Sequence, residues 1–225
     1  MLSFGTFQAT KTNPAIINNE DETMYTLYYL PGACSLATHV ILHELNQAVE
    51  IIDKQKVADY SAINPVGTVP VLVENGNIRR EGAAVILYLL NKHQNTMLPA
   101  EGIAREQAIQ DIMFANATMH PTYGRLFFIA RNINDEKAQK SAFVAAAQAI
   151  NSLWQVVEQQ LENKPFLGGD QPSAADILLT VYSRWGGSFP VEIKVGPNTQ
   201  KMLESVLKMP NFQRALTAEQ SQSAA

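Results

Sequence analysis

The stretch YYLPGACSLATHV, residues 28–40, decides the fold, because it passes from strand to helix through a Pro-Gly turn. The residues MYTLYYL (24–30) are mostly β-branched or aromatic, and such a run predicts a strand. After the turn, apolar side chains recur at helical spacing. The segment AVEIID (48–53) predicts a second strand. A strand–helix–strand unit of this size implies two parallel strands joined by a right-handed crossover.

The chain that follows completes a small α/β unit. Residues 54–67 have no sustained periodicity, and we predict a loop with one helical turn there. TVPVLVENGNIRR (68–80) predicts a hairpin, because Asn75-Gly76 between two apolar runs is a strong two-residue turn signal. EGAAVILYLLNKH (81–93) is apolar on nearly all sides and predicts a buried helix.

The second half of the chain has a different pattern. QNTMLPAEG (94–102) contains Pro and Gly and predicts a linker, and beyond it the strand signal disappears. Ser173 and Asp176 form an S-x-x-D pattern before an apolar run, which is typical of a helix start. The predicted organisation is an N-terminal extension over 1–23, an α/β domain over 24–95 and an all-helical domain over 103–220.

Composition excludes several function classes. A net charge of −4 and a pI near 5.6 argue against a nucleic-acid or anionic-membrane partner. The longest apolar run, residues 83–90, is too short to cross a membrane. The start of the chain lacks the basic and apolar pattern of a secretory signal. A single cysteine excludes an intrachain disulfide and a CxxC metal or dithiol site. It predicts that the protein is located in the reducing cytoplasm, and we expect no bound metal.

The single cysteine, Cys34, lies where the strand gives way to the helix. The first amides of a helix stabilise a thiolate, so this position predicts a lowered pKa and a reactive thiol. The alternative is a small buried hydrophobe, as most free cysteines are. His39 and His43 follow five and nine residues later and do not face Cys34 across one turn. We therefore interpret both as surface or helix-packing histidines, and a thiol at Cys34 can pair only with an external one.

Val69 and Pro70, at the start of a predicted strand, leave two conformations open. An ordinary trans peptide bond would make Pro70 an edge proline whose missing N–H is tolerated. A cis bond would turn the N–H and C=O groups of Val69 away from the sheet, where they could pair with an extended peptide ligand.

Four segments in this order resemble the glutathione S-transferases: YYLPGACSLATHV, AINPVGTVPVL, REGAAVILYL and FLGGDQPSAADILL. The cysteine of PGACS resembles that of the bacterial beta class, and the resemblance covers about residues 24–218. It implies an α/β thioredoxin-like N-terminal domain that binds glutathione and an all-α helical-bundle C-terminal domain. It also implies glutathione as co-substrate, a hydrophobic electrophile as second substrate, and a homodimer.

The resemblance also implies site residues. Those for glutathione binding are Cys34, Val69, Pro70, Glu81, Gly82 and His120. Cys34 and His120 would be catalytic, with Cys34 close to the glutathione sulfur. Val69 would pair with the cysteinyl backbone of the tripeptide, and Glu81 would bind its γ-glutamyl end. The electrophile would lie in a gap lined by Tyr123, Phe127 and Trp185.

The chain departs from the family pattern at several positions. Gly82 stands where many members have a serine, which leaves only its backbone N–H, and Met113 stands where a polar residue is common. The lysine that binds glutathione in the family would be replaced by Lys54 or Lys56, or would be absent. Pro121 follows the helical histidine and predicts a kink over residues 119–123.

These features predict a glutathione S-transferase that conjugates glutathione to an electrophile, with exchange of mixed disulfides through Cys34 as a second route. The alternative is a non-enzymatic binding or regulatory protein on the same scaffold with a decayed glutathione site. A Cys–His hydrolase ranks last, because only His120 could join Cys34 and no other motif supports it.

Overall fold

The computed structural model describes residues 24–223, and the predicted extension over 1–23 lies outside them. The strands are β1 (Tyr25–Tyr29), β2 (Val49–Asp53), β3 (Val71–Glu74) and β4 (Asn77–Arg79). The helices are α1 (Ser35–Glu44), α2 (Tyr60–Ile63), α3 (Gly82–Lys92), α4 (Gly102–Met113), α5 (His120–Asn132), α6 (Glu136–Gln160), α7 (Ala174–Ser183), α8 (Pro197–Leu207) and α9 (Pro210–Ser223).

The four strands form one mixed sheet in the order β2-β1-β3-β4. β1 is parallel to β2, with Leu27 opposite Ile51, and antiparallel to β3, with Leu27 opposite Leu72. The β3–β4 hairpin turns at Asn75 and Gly76, whose φ angles are 48° and 77°. Two successive positive φ angles are what an Asn-Gly turn supplies. The predicted strand–helix–strand unit and hairpin are confirmed.

α1 connects the sheet to the helical part of the chain. It contacts α3 on the sheet side and α7 and α9 on the helical side. Leu36, Val40 and Ile41 consequently have no exposed surface. The fold is therefore a thioredoxin-like N-terminal part joined to a helical C-terminal part through one buried helix. No helix within the described residues is long and apolar enough to cross a membrane.

The predicted helix start at Ser173 is present as a complete capping box at the beginning of α7. The Asp176 N–H donates to the Ser173 side chain, and the Asp176 carboxylate accepts from the Ser173 N–H at 2.8 Å. α7 itself is buried along its whole length except at its last residue. The capping box thus fixes where the central helix of the bundle begins.

A π-helical turn, Phe114–Met119, separates α4 from α5. The sequence places the distortion at residues 119–123, so the predicted position is wrong by about one turn. Pro121 has no N–H to donate, and its ring crowds the carbonyl four residues earlier. The irregularity therefore falls in the turn that precedes the proline, where it lies against the cleft described below.

His39 and His43 pack inside the protein and are not surface residues. Their side chains are 2% and 8% exposed, and their ring centroids are 4.6 Å apart. Nδ1 of His39 lies 3.8 Å from the Glu219 carboxylate of α9. Burial lowers the pKa of His43 to about 4, with smaller contributions from nearby His39 and Arg214.

We expect His43 to make the protein less stable in acid. Its folded-state pKa of about 4 lies below its ordinary value, so the unfolded chain takes up a proton first as the pH falls. This loss begins near pH 6.5 and continues to about pH 4, at up to ~1.4 kcal/mol per pH unit. Urea unfolding of the wild type and of His43→Gln between pH 4 and pH 6.5 measures how the free energy of unfolding depends on pH. The glutamine variant should lose stability less steeply, and equal slopes would contradict the prediction.

Candidate functional site

A cleft of about 580 Å³ opens between the sheet and the helical bundle. Its walls come from the turn before α1, the segment before β3, the start of α3, one face of α5 and the end of α7. All six residues selected from the sequence for glutathione binding line it: Cys34, Val69, Pro70, Glu81, Gly82 and His120.

Cys34 is the N-cap residue of α1 and is partly buried. Its Sγ donates a hydrogen bond to the carbonyl oxygen of Val69, 3.2 Å away. Burial raises the pKa of the Cys34 thiol to about 11, although the backbone N–H groups of Cys34 and Ser35 oppose the rise. The predicted lowering of the pKa is wrong, because desolvation of the thiolate outweighs the helix amides. Near neutral pH the thiol is therefore protonated and acts as a hydrogen-bond donor.

The Val69–Pro70 peptide bond is cis, which decides between the two conformations that the sequence leaves open. The Val69 carbonyl faces the Cys34 thiol, and the Val69 N–H donates to no residue within 24–223. An extended peptide can pair with two such groups as it would with the edge of a sheet.

Glu81 and Gly82 form the corner of the cleft at the start of α3. Glu81 has a φ of 67°, in the left-handed region that non-glycine residues rarely adopt, and such positions cluster at functional sites. Its side chain makes no capping hydrogen bond to α3, and it lines the cleft. The Gly82 N–H is one of the first helix amides, which have no partner within the helix. A carboxylate and a free backbone donor therefore lie next to each other.

His120 projects from the start of α5 into the cleft between two aromatic side chains. Its ring centroid is 5.1 Å from that of Tyr182 and 5.3 Å from that of Trp185, both in edge-on arrangements. Burial lowers the pKa of His120. The imidazole is consequently neutral near pH 7 and can both donate and accept a hydrogen bond.

Phe127 and Trp185 form an aromatic wall, with ring centroids 5.8 Å apart. The Trp185 indole N–H donates to the Gly32 carbonyl at 2.8 Å, which ties this wall to the turn before α1. Tyr123, which the sequence predicts as part of this wall, packs behind it: its ring lies edge-on to Trp185, with centroids 6.0 Å apart, but does not line the cleft. It is fully buried on the side of α5 that faces α6, where its hydroxyl accepts from the Trp154 indole N–H at 2.9 Å.

Two further polar residues on the helical face of His120 line the cleft, Asn116 and Arg131, and neither is predicted in the sequence analysis. Counting from His120 could have found both, since four residues back and eleven forward return to one helix face. Met113, seven residues before His120, was expected on that face. It does not line the cleft and is 41% exposed, because the wide π turn shifts the register before it.

Only one of the two candidate lysines lies at the cleft. Lys54 lines the wall, and its Nζ donates to the Gly67 carbonyl at 2.7 Å. Lys56 instead donates to the Gln222 carbonyl of α9 at 2.8 Å. Lys54 is therefore the candidate to form an ion pair with an anionic group bound in this part of the cleft.

Two buried hydroxyls complete the polar groups around the cleft. The side chains of Thr38 and Tyr182 line it, and their hydroxyls have no hydrogen-bond partner within the described residues. A buried hydroxyl without a hydrogen-bond partner is destabilising, so a ligand or water that bonded to these two hydroxyls would stabilise the protein. Residues 24–223 contain no cluster of three or more His, Cys, Asp or Glu side chains that could hold a metal ion.

Two family models match this chain. The model described as glutathione S-transferase, N-terminal domain, matches residues 33–97. The model described as glutathione S-transferase, C-terminal domain, matches residues 118–210. The two matches cover the sheet-containing part from α1 onward, without β1, and most of the helical part.

Named proteins agree with the family models. Glutathione S-transferase GST-4.5 of Xanthomonas campestris is 31% identical over 199 residues, which cover 86% of this chain and 98% of that protein. The bacterial beta class glutathione S-transferase of Sphingomonas chungbukensis superposes with a TM-score of 0.74 at 27% identity, covering 86% of this chain and 98% of that one. A sphingomonad glutathione S-transferase complexed with glutathione superposes with a TM-score of 0.75, also at 27% identity and with the same coverage.

Proposed function

The chain belongs to the glutathione S-transferase family, and from that premise we propose how its cleft binds and uses glutathione. It is a glutathione transferase whose structural neighbours include bacterial beta class enzymes. The arrangement that carries the proposal is the Cys34 thiol, 3.2 Å from the Val69 carbonyl, in a cleft that also contains Glu81 and His120.

Glutathione lies along the cleft in an extended conformation. Its cysteinyl backbone pairs with the N–H and C=O of Val69, which brings the glutathione sulfur next to Cys34. Its γ-glutamyl ammonium is attracted by the Glu81 carboxylate, and its glycyl carboxylate by Lys54. When the Val69 carbonyl accepts from the peptide, the Cys34 S–H becomes free to donate to the glutathione sulfur.

Conjugation uses the thiolate of glutathione as nucleophile. The neutral His120 imidazole can take the glutathione thiol proton, and the S–H of Cys34 together with the first amides of α1 stabilises the resulting thiolate. The thiolate attacks the electrophilic carbon, a carbon–sulfur bond forms, and the leaving group departs with the bonding electron pair. The raised pKa of Cys34 suits this donor role, because the thiol keeps its proton.

Cys34 provides a second reaction, the exchange of mixed disulfides. After losing its proton, its thiolate attacks a glutathione mixed disulfide, bonds to the glutathione sulfur and releases the other thiol. A second glutathione thiolate then attacks the glutathione sulfur of the protein disulfide, which forms glutathione disulfide and restores Cys34. Reduced glutathione supplies both electrons.

A conjugation assay with glutathione and 1-chloro-2,4-dinitrobenzene tests the proposal. We expect saturable formation of the thioether with release of chloride. A purified, folded protein that never exceeds the uncatalysed rate with this or other electrophiles would contradict it. The alternative of a non-enzymatic binding protein is not favoured, since the named relatives are glutathione S-transferases.

We expect Phe127→Ala to raise the KM for aromatic electrophiles about tenfold, since an aromatic contact contributes about 0.5–1.5 kcal/mol beyond its buried area. The affinity for glutathione should change little. Phe128→Ala is the matched control, because Phe128 is the next residue, is 62% exposed and does not line the cleft. Steady-state kinetics with varied electrophile measure both variants, and equal effects of the two substitutions would remove Phe127 from the electrophile site.

The protein is further proposed to be a cytoplasmic homodimer that acts on hydrophobic electrophiles. Several large apolar side chains are exposed, among them Val66 at 71% and Ile103 at 84%, and a partner could cover such surfaces. The single free thiol fits a reducing compartment. Sedimentation equilibrium of the purified protein tests the dimer, and a monomer at micromolar concentration would contradict it.

A further inference from the structure

The side of the cleft at Gly82 is completed by a side chain from a distant part of the chain. A Cβ at position 82 would lie 3.0 Å from Oδ1 of Asn116 and 3.7 Å from Cδ of Pro70. Gly82 does not have a positive φ, so the backbone conformation does not require glycine there. A side chain at position 82 would instead press on the Asn116 amide, so the two positions compete for the same space.

Asn116 lies within the π turn, on the same side as His120, while the turn moves Met113 off that side. Within the turn, the His120 N–H donates to the Ala115 carbonyl, five residues earlier, which adds a residue to the helical turn. Asn116, four residues before His120, lines the cleft, whereas Met113 is displaced to the exposed side. Pro121 favours this geometry, since it removes a regular helical hydrogen bond. The unusual residues at 82, 113 and 121 therefore belong to one arrangement.

The Asn116 amide is available to a ligand. It makes no hydrogen bond to any residue in the described part of the chain, its Oδ1 lies 3.0 Å from where a Cβ of Gly82 would be, and Glu81 lines the same cleft. A primary amide rotated by half a turn presents its NH₂ group where its oxygen now lies. The corner then offers two donors and one carboxylate, which matches an amino acid whose α-carboxylate and α-ammonium lie side by side.

We propose that Asn116 binds the α-carboxylate of the γ-glutamyl residue of glutathione, an inference that rests on the proposed function. Asn116 donates from Nδ2 to that carboxylate, and the Gly82 N–H donates to the same group. Glu81 attracts the adjacent ammonium. Asn116 thus supplies, from the helical part of the protein, the polar side chain that glycine at position 82 cannot.

Calorimetric titration of reduced glutathione into the wild type and Asn116→Ala tests this binding role. Loss of a hydrogen bond to a charged group should weaken binding about tenfold or more. The tripeptide 4-aminobutanoyl-cysteinylglycine lacks only the α-carboxylate, and it should bind both proteins equally. Met113→Ala is the matched control, because Met113 is three residues earlier, is 41% exposed and does not line the cleft; it should bind glutathione like the wild type.

A second pair of variants tests whether side chains at positions 82 and 116 compete for the same space. Gly82→Ser alone should not improve glutathione binding, since its Cβ would press on Asn116. Gly82→Ser combined with Asn116→Ala should bind more tightly than Asn116→Ala alone, because the serine hydroxyl can then donate to the carboxylate. A double variant that binds no better than Asn116→Ala would overturn this spatial relation.

The outcomes separate the inference from the proposed function. If the wild type binds glutathione and Asn116→Ala binds it equally well, the role of Asn116 is overturned and the proposed function stands. An equal loss for glutathione and for the tripeptide without the carboxylate also overturns it. If the wild type binds no glutathione, both fail together.

Discussion

Cys34→Ala is expected to lower the rate of glutathione-dependent disulfide exchange by more than about a hundredfold, because it removes the attacking sulfur. Conjugation should fall much less, by about fivefold, since there Cys34 contributes a single weak hydrogen-bond donor. The single variant Cys34→Ala should therefore lose disulfide exchange while keeping much of its conjugation activity. Exchange is measured with a glutathione mixed disulfide and conjugation with a chloronitrobenzene, both at saturating glutathione.

Cys34→Ser is the matched variant for this experiment. It keeps a donor of similar size and should retain more conjugation than alanine while still losing disulfide exchange. Mass spectrometry of the wild type treated with glutathione disulfide should find one added glutathionyl group, and Cys34 is the sole cysteine that can carry it. Exchange that survives in both variants would refute the cysteine route.

Asp176→Ala is expected to lower the free energy of unfolding by about 3 kcal/mol or more. Asp176 is fully buried, and its carboxylate accepts from the N–H groups of Leu167 and Ser173 at 2.9 and 2.8 Å and from the Ser173 hydroxyl at 2.7 Å. Alanine leaves those buried donors without partners and removes one half of the capping box. Urea unfolding followed by circular dichroism measures the loss.

Asp170→Ala is the control for the stability experiment. Asp170 is an exposed acidic residue in the loop before α7, and its loss should change stability by no more than about 0.5 kcal/mol. If Asp176→Ala is as stable as this control, the capping box does not have the structural role assigned to it here.

Local signals in the sequence predicted most of the fold. The Asn75-Gly76 turn, the apolar spacing after the Pro-Gly turn and the capping pattern at Ser173 each specify a local conformation, and each is present in the structure. Such signals act over a few residues, so they can be read without knowing what the segment packs against. The six glutathione-site residues came from the resemblance, and all of them line one cleft.

Features that depend on tertiary packing were not predictable. The pKa of Cys34 rises because the folded chain buries the thiol, and the helix position alone gives the opposite direction. Tyr123 packs behind Trp185 and bonds to Trp154 of α6 without lining the cleft, which its spacing from Phe127 does not reveal. Met113 leaves the cleft face because of a π turn, which helical spacing from His120 does not reveal. In the first two cases burial or a contact between distant segments decided the outcome, and in the third a local change of helix register did.

The most direct test of the account is a calorimetric titration of reduced glutathione into the purified protein. We expect saturable binding with a Kd between about micromolar and low millimolar, equivalent to about −8 to −4 kcal/mol. The absence of saturable binding by the folded protein would contradict the central claim that the cleft around Cys34, Val69, Glu81 and His120 is a glutathione site.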